Sequence, residues 1–110
     1  MVDIVLVPSA SNAASDEIEV FYTSPTSSDG TLITAFSASN NSGANAWYEA
    51  YIYDSSEDST AAVIPTKIVV RYKSDLGAAI TNQLIPNGGS LRMKTSVAGA
   101  IDFRVSGVVL

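Results

Sequence analysis

Apolar and polar residues alternate along much of the chain, and this alternation is the strongest signal in the sequence. In the stretch 101–106 the apolar residues Ile101, Phe103 and Val105 alternate with polar residues. The stretch 91–96 shows a similar alternation. A period of two residues is typical of a half-buried strand with one solvated face. Eight segments show this alternation or are rich in β-branched and aromatic residues. They are residues 4–7, 18–23, 31–39, 46–54, 67–73, 80–84, 91–96 and 101–106.

Turn-forming residues separate the predicted strands. The loops are built mainly from Ser, Asn, Asp, Gly and Pro, and the sequence Pro-Asn-Gly-Gly at 86–89 is suited to a tight hairpin turn. We expect that turn to join the segments 80–85 and 90–96. Eight short strands in 110 residues predict an all-β fold, a single antiparallel β-sandwich of jelly-roll or immunoglobulin-like type. One domain spanning residues 1–110 is expected.

The sequence lacks the residues from which most active sites are built. It contains no Cys and no His, which excludes Ser-His-Asp triads, Cys-His pairs and structural zinc sites. It also has no Gly-x-Ser-x-Gly elbow and no Ser-x-x-Lys motif. We therefore predict that the protein is not an enzyme, has no catalytic residue and needs no cofactor or metal.

An acidic loop at residues 54–58 is the one candidate for a metal site. Asp54, Glu57 and Asp58 place three carboxylates within five residues, and carboxylate oxygens are the ligands that Ca²⁺ prefers. The loop lacks the glycine and the distal glutamate of an EF-hand. We favour a solvated loop, with calcium binding as the alternative.

Charge is distributed unevenly along the chain. Residues 1–60 carry nine acidic and no basic residues, a charge of −9, and residues 61–110 carry six basic and two acidic residues, a charge of +4, which together give the net −5. A bipolar surface could dock onto a partner or onto further copies. Alternatively, acidic and basic strands pair within one sheet, which cross-strand pairing favours. An acidic protein is poorly suited to nucleic acid, and no apolar stretch is long enough to cross a membrane.

Trp47, Tyr51 and Tyr53 fall on one face of the fourth predicted strand. If that face is exposed, it is an anchor for a protein partner or a stacking platform for a sugar ring. If it is buried, Trp47 is the central core residue, and this is the interpretation we favour. For an assembling protein we expect an interface that combines these aromatics with two pairs of opposite charge. The expected interface residues are Trp47, Tyr51, Tyr53, Glu57, Asp58, Arg92 and Lys94.

A series of motifs in the C-terminal third marks a resemblance to a known group of proteins. An Ile-Pro turn is followed by a glycine-containing hairpin, a strand that alternates apolar and basic residues, a bend of small residues and an ending in Val-Ser-Gly. These motifs occupy residues 85–86, 88–89, 91–94, 97–100 and 105–107. Residues 20–43 add a Tyr-Thr-x-Pro edge and an Asn-rich turn. The two stretches resemble small β-sandwich virion structural proteins of tailed bacteriophages.

The resemblance implies a virion structural protein, with a capsid decoration or cement accessory as the first expectation. A tail or collar component comes second, and a carbohydrate-binding β-sandwich module is the alternative from another class. The implied partners are other virion proteins and further copies in a homo-oligomer, without nucleic acid or membrane. The chain starts without the basic and apolar regions of a signal peptide, so we expect synthesis in the host cytoplasm and localisation in the virion. The shared motifs mark turns and core positions and imply no site residue.

Overall fold

Within the described part of the chain, nine strands form two antiparallel sheets. The computed structural model describes residues 3–55, 59–62, 68–70 and 81–110, and in these ranges all regular structure is β-strand, so none of it is a helix that could cross a membrane. The strands are β1 (Ile4–Ala10), β2 (Glu19–Thr23), β3 (Thr31–Asn40), β4 (Ala46–Asp54), β5 (Ser59–Ala62), β6 (Ile68–Val70), β7 (Leu84–Ile85), β8 (Ser90–Thr95) and β9 (Ile101–Val109). The predicted all-β sandwich is confirmed.

The strand order is that of a jelly roll. The first sheet has the order β1-β9-β3-β7, and the second has the order β2-β8-β4, with β5 and β6 along the far side of β4. Strands from the two halves of the chain pair in nested order, β1 with β9, β2 with β8, β3 with β7 and β4 with β5. These pairs form the antiparallel hairpin ribbon that folds into a jelly roll. In an immunoglobulin-like sandwich the first two strands share a sheet, whereas here β1 and β2 lie in different sheets. Of the two predicted types of sandwich, the strand order therefore identifies the jelly roll.

The turn at residues 86–89 does not form the predicted hairpin. β7 pairs with β3 in the first sheet, whereas β8 lies between β2 and β4 in the second. The Gly89 N–H donates to the Pro86 carbonyl at 2.9 Å, and of the two central residues only Gly88 has a positive φ, 71°. A type I′ hairpin turn requires positive φ at both. The turn instead carries the chain from one sheet to the other, and backbone hydrogen bonds with Ser24 tie it to the end of β2.

Three predicted segments differ from the observed strands. The segment between the predicted strands 46–54 and 67–73 contains β5, which pairs with the C-terminal half of β4. Of the predicted strand 67–73, the described part is β6. Of the predicted strand 80–84, residues 81–84 are described, and among these only Leu84 belongs to a strand. Asn82 has a left-handed φ of 67°, and a residue in that conformation interrupts the extended backbone.

The core between the sheets contains a cluster of aromatic rings. Ile101, Phe103 and Val105 are fully buried, which confirms the predicted inward face of β9. The Phe103 ring lies edge-on to Phe21 and Tyr48, with both pairs of centroids 5.3 Å apart. Edge-to-face packing of this kind adds to the energy gained from burial alone. β9 therefore joins the two sheets at the centre of the molecule.

Gly107 marks a close approach between β9 and the neighbouring strands. A Cβ at this position would collide with the Leu32 carbonyl oxygen and would lie 2.9 Å from the Leu6 side chain. Glycine inside a strand commonly marks such an approach. This close approach explains why position 107 is a glycine.

Candidate functional site

β4 separates core residues from surface residues. Ala46, Tyr48 and Ala50 are buried, whereas Trp47 and Tyr51, on the opposite side of the strand, are half-buried. The interpretation that Trp47 is the central core residue is therefore wrong, since Tyr48 occupies that place. Both sides of β4 are apolar, so the period of two could not show which side points inward.

Five of the predicted interface residues come together on the outward side of the second sheet. β4 and β8 are antiparallel neighbours, with Tyr51 opposite Arg92 and Glu49 opposite Lys94. We call this surface the aromatic face. It consists of Trp47, Tyr51, Tyr53, Arg92 and Lys94.

The other two predicted interface residues, Glu57 and Asp58, lie outside the described residues. The hypothesis of calcium binding in their loop stays a prediction for the same reason. Elsewhere, within the ranges that the structure describes, no group of three or more acidic side chains could hold a metal ion.

Arg92 lies over the ring of Tyr53. Its guanidinium carbon is 4.3 Å from the ring centroid, within the range of about 6 Å for a cation–π interaction. The Arg92 Nε donates a hydrogen bond to the Ser90 hydroxyl at 2.8 Å. Both contacts hold the side chain against the sheet, so less conformational entropy is lost when a partner binds there.

Lys94 lies between two carboxylates of its own chain. Its Nζ is 3.6 Å from both Asp16 and Glu49. Burial by itself would lower the pKa of Lys94, but attraction to the Tyr51 phenolate, where it is ionised at high pH, and to the two carboxylates outweighs burial and raises the pKa. The charge of Lys94 is thus balanced locally, as the cross-strand pairing hypothesis expects. Burial and then a hydrogen bond to Glu49 raise the pKa of Tyr51, so its phenol is neutral at physiological pH.

The loop before β2 brings Asp16 to the aromatic face, and Glu19 holds that loop. The Glu19 carboxylate accepts hydrogen bonds from the N–H groups of Ala13 and Ala14, both at 3.1 Å. The side-chain amide of Asn12 donates a third at 3.2 Å. The two backbone bonds, assisted by Asn12 and opposed by burial, lower the pKa of Glu19. The ionised carboxylate is therefore the form that organises the loop.

Glu19→Gln is expected to make the free energy of unfolding depend less on pH in the acidic range. Because the folded pKa of Glu19 lies below its ordinary value of 4.5, the ionised group stabilises the folded state above that pH. This contribution is lost as the pH falls through the lowered folded pKa. At neutral pH we expect the variant to lose about 1 kcal/mol, since its amide oxygen is a weaker acceptor. Below the folded pKa the two proteins should converge.

Urea unfolding over a range of pH measures this effect. Glu17→Gln, at an exposed position in the same loop, is the matched control and should keep the wild-type profile. Parallel profiles for wild type and Glu19→Gln would show that Glu19 does not anchor the loop.

A polar groove that the sequence pattern did not indicate lies on the outward side of the first sheet. The groove has a volume of about 270 Å³, and its lining includes Pro8, Ser9, Ser37, Asn41, Asp102 and Arg104. The alternation in β9 did place Asp102 and Arg104 outward. Only the pairing of β9 with β3 and β1 shows that they line a groove.

The fold defines the class of protein as a jelly-roll β-sandwich. No family model matches the chain, and no curated protein matches its sequence. The fold presents two outward surfaces, the aromatic face and the polar groove.

Proposed function

We propose that this protein is a bacteriophage virion structural protein, a capsid decoration or cement accessory that acts by protein–protein assembly. The observation that carries the proposal is the aromatic face, where Trp47, Tyr51, Tyr53 and Arg92 lie outward on a sheet rather than in the core. Binding energy at protein interfaces is concentrated in Trp, Tyr and Arg. The jelly roll is also a frequent fold of viral capsid domains, although a fold by itself does not define a function. A tail or collar component would use the same surface.

Apolar contact, more than exposed charge, should drive docking at the aromatic face. Lys94 already has two carboxylate partners within the chain, so it has little charge to offer a neighbour. Arg92 is held over Tyr53 and keeps further N–H groups that a partner can satisfy. The complementary surface therefore offers apolar area for the rings and a hydrogen-bond acceptor for Arg92. On a lattice of repeated sites, avidity makes weak single contacts sufficient.

Trp47→Ala and Arg92→Ala should each reduce assembly. A residue that dominates an interface contributes about 2 kcal/mol or more, so we expect affinity to fall about thirtyfold for each variant. The measurements are copy number in purified particles of the source phage and oligomer mass by sedimentation. Gln83→Ala, at an exposed position beside β7 in the other sheet, is the control and should assemble as the wild type does.

Two results would contradict the proposal. One is wild-type copy number for both aromatic-face variants, with folding confirmed by circular dichroism. The other is a protein that is monomeric at every concentration and absent from purified particles.

A further inference from the structure

The floor of the polar groove on the first sheet is a small array of polar side chains. β3 and β9 pair so that Ser37 lies opposite Arg104 and Ser39 lies opposite Asp102. All four alternate with buried residues on their strands, so they point away from the core. The array lies on the side of the sandwich opposite to the aromatic face.

The two ends of the groove are held by hydrogen bonds. Between Val7 and Ala10, β1 has one more residue than the paired part of β9. The exposed residues Pro8 and Ser9 of this bulge form one wall. Arg104 Nη1 donates to the Pro8 carbonyl at 2.9 Å and fixes that wall. At the other end the Asn41 Nδ2 donates to Asp102 Oδ2 at 2.7 Å. The carboxylate and the guanidinium are therefore both oriented before any ligand arrives.

The groove presents hydrogen-bonding groups that remain available to a ligand. In the part of the chain that the structure describes, Asp102 Oδ1 and the hydroxyls of Ser9 and Ser37 make no hydrogen bond. Arg104 donates one bond, to Pro8, and a guanidinium has five N–H donors. The groove thus contains a charged hydrogen-bond acceptor, a charged donor and two hydroxyls that can each donate or accept.

Size and charge restrict the class of ligand. A volume of about 270 Å³ is just below the range of about 300–1,000 Å³ for sites of drug-sized molecules, so it suits a single ring. An anion would be repelled by Asp102 and a cation by Arg104. A neutral polyhydroxylated ring can bind to both Asp102 and Arg104, because each of its hydroxyl groups can donate and accept a hydrogen bond. The ring of Pro8 adds an apolar contact for its C–H groups.

We propose that this groove binds one neutral monosaccharide unit, such as the terminal residue of a glycan. The site is separate from the aromatic face and does not depend on the proposed role in assembly. The two outward faces of a sandwich point in opposite directions. A molecule docked through the aromatic face would therefore keep the groove open to solvent.

An NMR titration of the ¹⁵N-labelled protein with glucose, galactose, mannose and N-acetylglucosamine tests the proposal. At least one of these sugars should shift the backbone amides of the groove residues, with a dissociation constant in the millimolar range. Asp102→Asn and Arg104→Ala should each weaken binding about tenfold, because the first removes the charge of an acceptor and the second removes a charged donor. Both positions lie on the surface of the sheet, so the variants should keep the wild-type spectrum elsewhere. Trp47→Ala, on the opposite sheet, should bind the sugar with unchanged affinity.

Three outcomes would overturn the proposal. They are the absence of shifts with all four sugars, binding that is unaffected in both groove variants, and shifts that centre on Trp47 and disappear in Trp47→Ala. The last outcome would assign sugar binding to the aromatic face. Loss of assembly in Trp47→Ala with intact sugar binding would leave both proposals standing, so failure of one is distinguishable from failure of the other.

Discussion

Phe103→Ala is expected to lower the free energy of unfolding by about 3 to 5 kcal/mol. The side chain is fully buried, and its ring packs against Phe21, Phe36 and Tyr48 from strands of both sheets. Truncation removes this apolar area and leaves a cavity whose lining cannot collapse, because each ring is fixed by its own strand. A domain of this size has a total stability on the order of 5 to 15 kcal/mol. The loss is therefore a large share of what holds the fold together.

Arg104→Ala is the matched control for Phe103→Ala, since it changes the next residue on the same strand. Arg104 is exposed and makes a surface hydrogen bond to the Pro8 carbonyl, so we expect a change within about 0.5 kcal/mol. Urea unfolding of the two variants measures the difference. Equal losses would mean that the inward and outward positions of β9 are assigned incorrectly.

Asn40→Ala is expected to cost about 2 to 3 kcal/mol, the second largest effect. Asn40 is fully buried at the end of β3. Its Nδ2 donates to the carbonyls of Ala44 at 2.9 Å and Val70 at 2.8 Å, and its Oδ1 accepts from the Ser42 N–H at 2.9 Å. The amide thus closes the turn between β3 and β4 and ties it to β6. Alanine removes all of these bonds and leaves buried polar groups to be satisfied in other ways.

Two variants separate the contributions of Asn40. Asn41→Ala, at the exposed neighbouring position, should change stability by no more than about 0.5 kcal/mol. Asn40→Asp keeps the acceptor for Ser42 but cannot donate when ionised, so it should be at least as destabilising as Asn40→Ala. Thermal or urea unfolding measures both. Stability of Asn40→Ala equal to that of Asn41→Ala would show that the buried amide does not hold the turn.

Part of the aromatic face could be predicted from the sequence. A period of two placed Trp47, Tyr51 and Tyr53 on one side of β4, and Arg92 and Lys94 on one side of β8. That these two sides adjoin follows from the pairing of β4 with β8. The pairing depends on residues far apart in the chain, and alternation within a strand carries no information about its neighbour.

The polar groove is a clearer case of a site that depends on which strands pair. Its components come from β1, from β3 and the residue after it, and from β9, and none of these segments has an unusual composition by itself. Asn40 and Asn41 are adjacent and chemically identical, yet one is buried in the scaffold and the other lines the groove. Only the three-dimensional arrangement assigns them different roles.

The sequence by itself determined the all-β class and the inward face of β9. Charged residues alternate with apolar ones in β9, and burying an unpaired charge is so unfavourable that only one orientation of the strand is possible. The tertiary structure decided which face of β4 is core, the jelly-roll order and the crossing of the turn at residues 86–89 between sheets. The reason is that antiparallel backbone hydrogen bonds are much alike for any pair of strands. The choice among partners depends on how distant side chains such as Phe21, Tyr48 and Phe103 fill one common core.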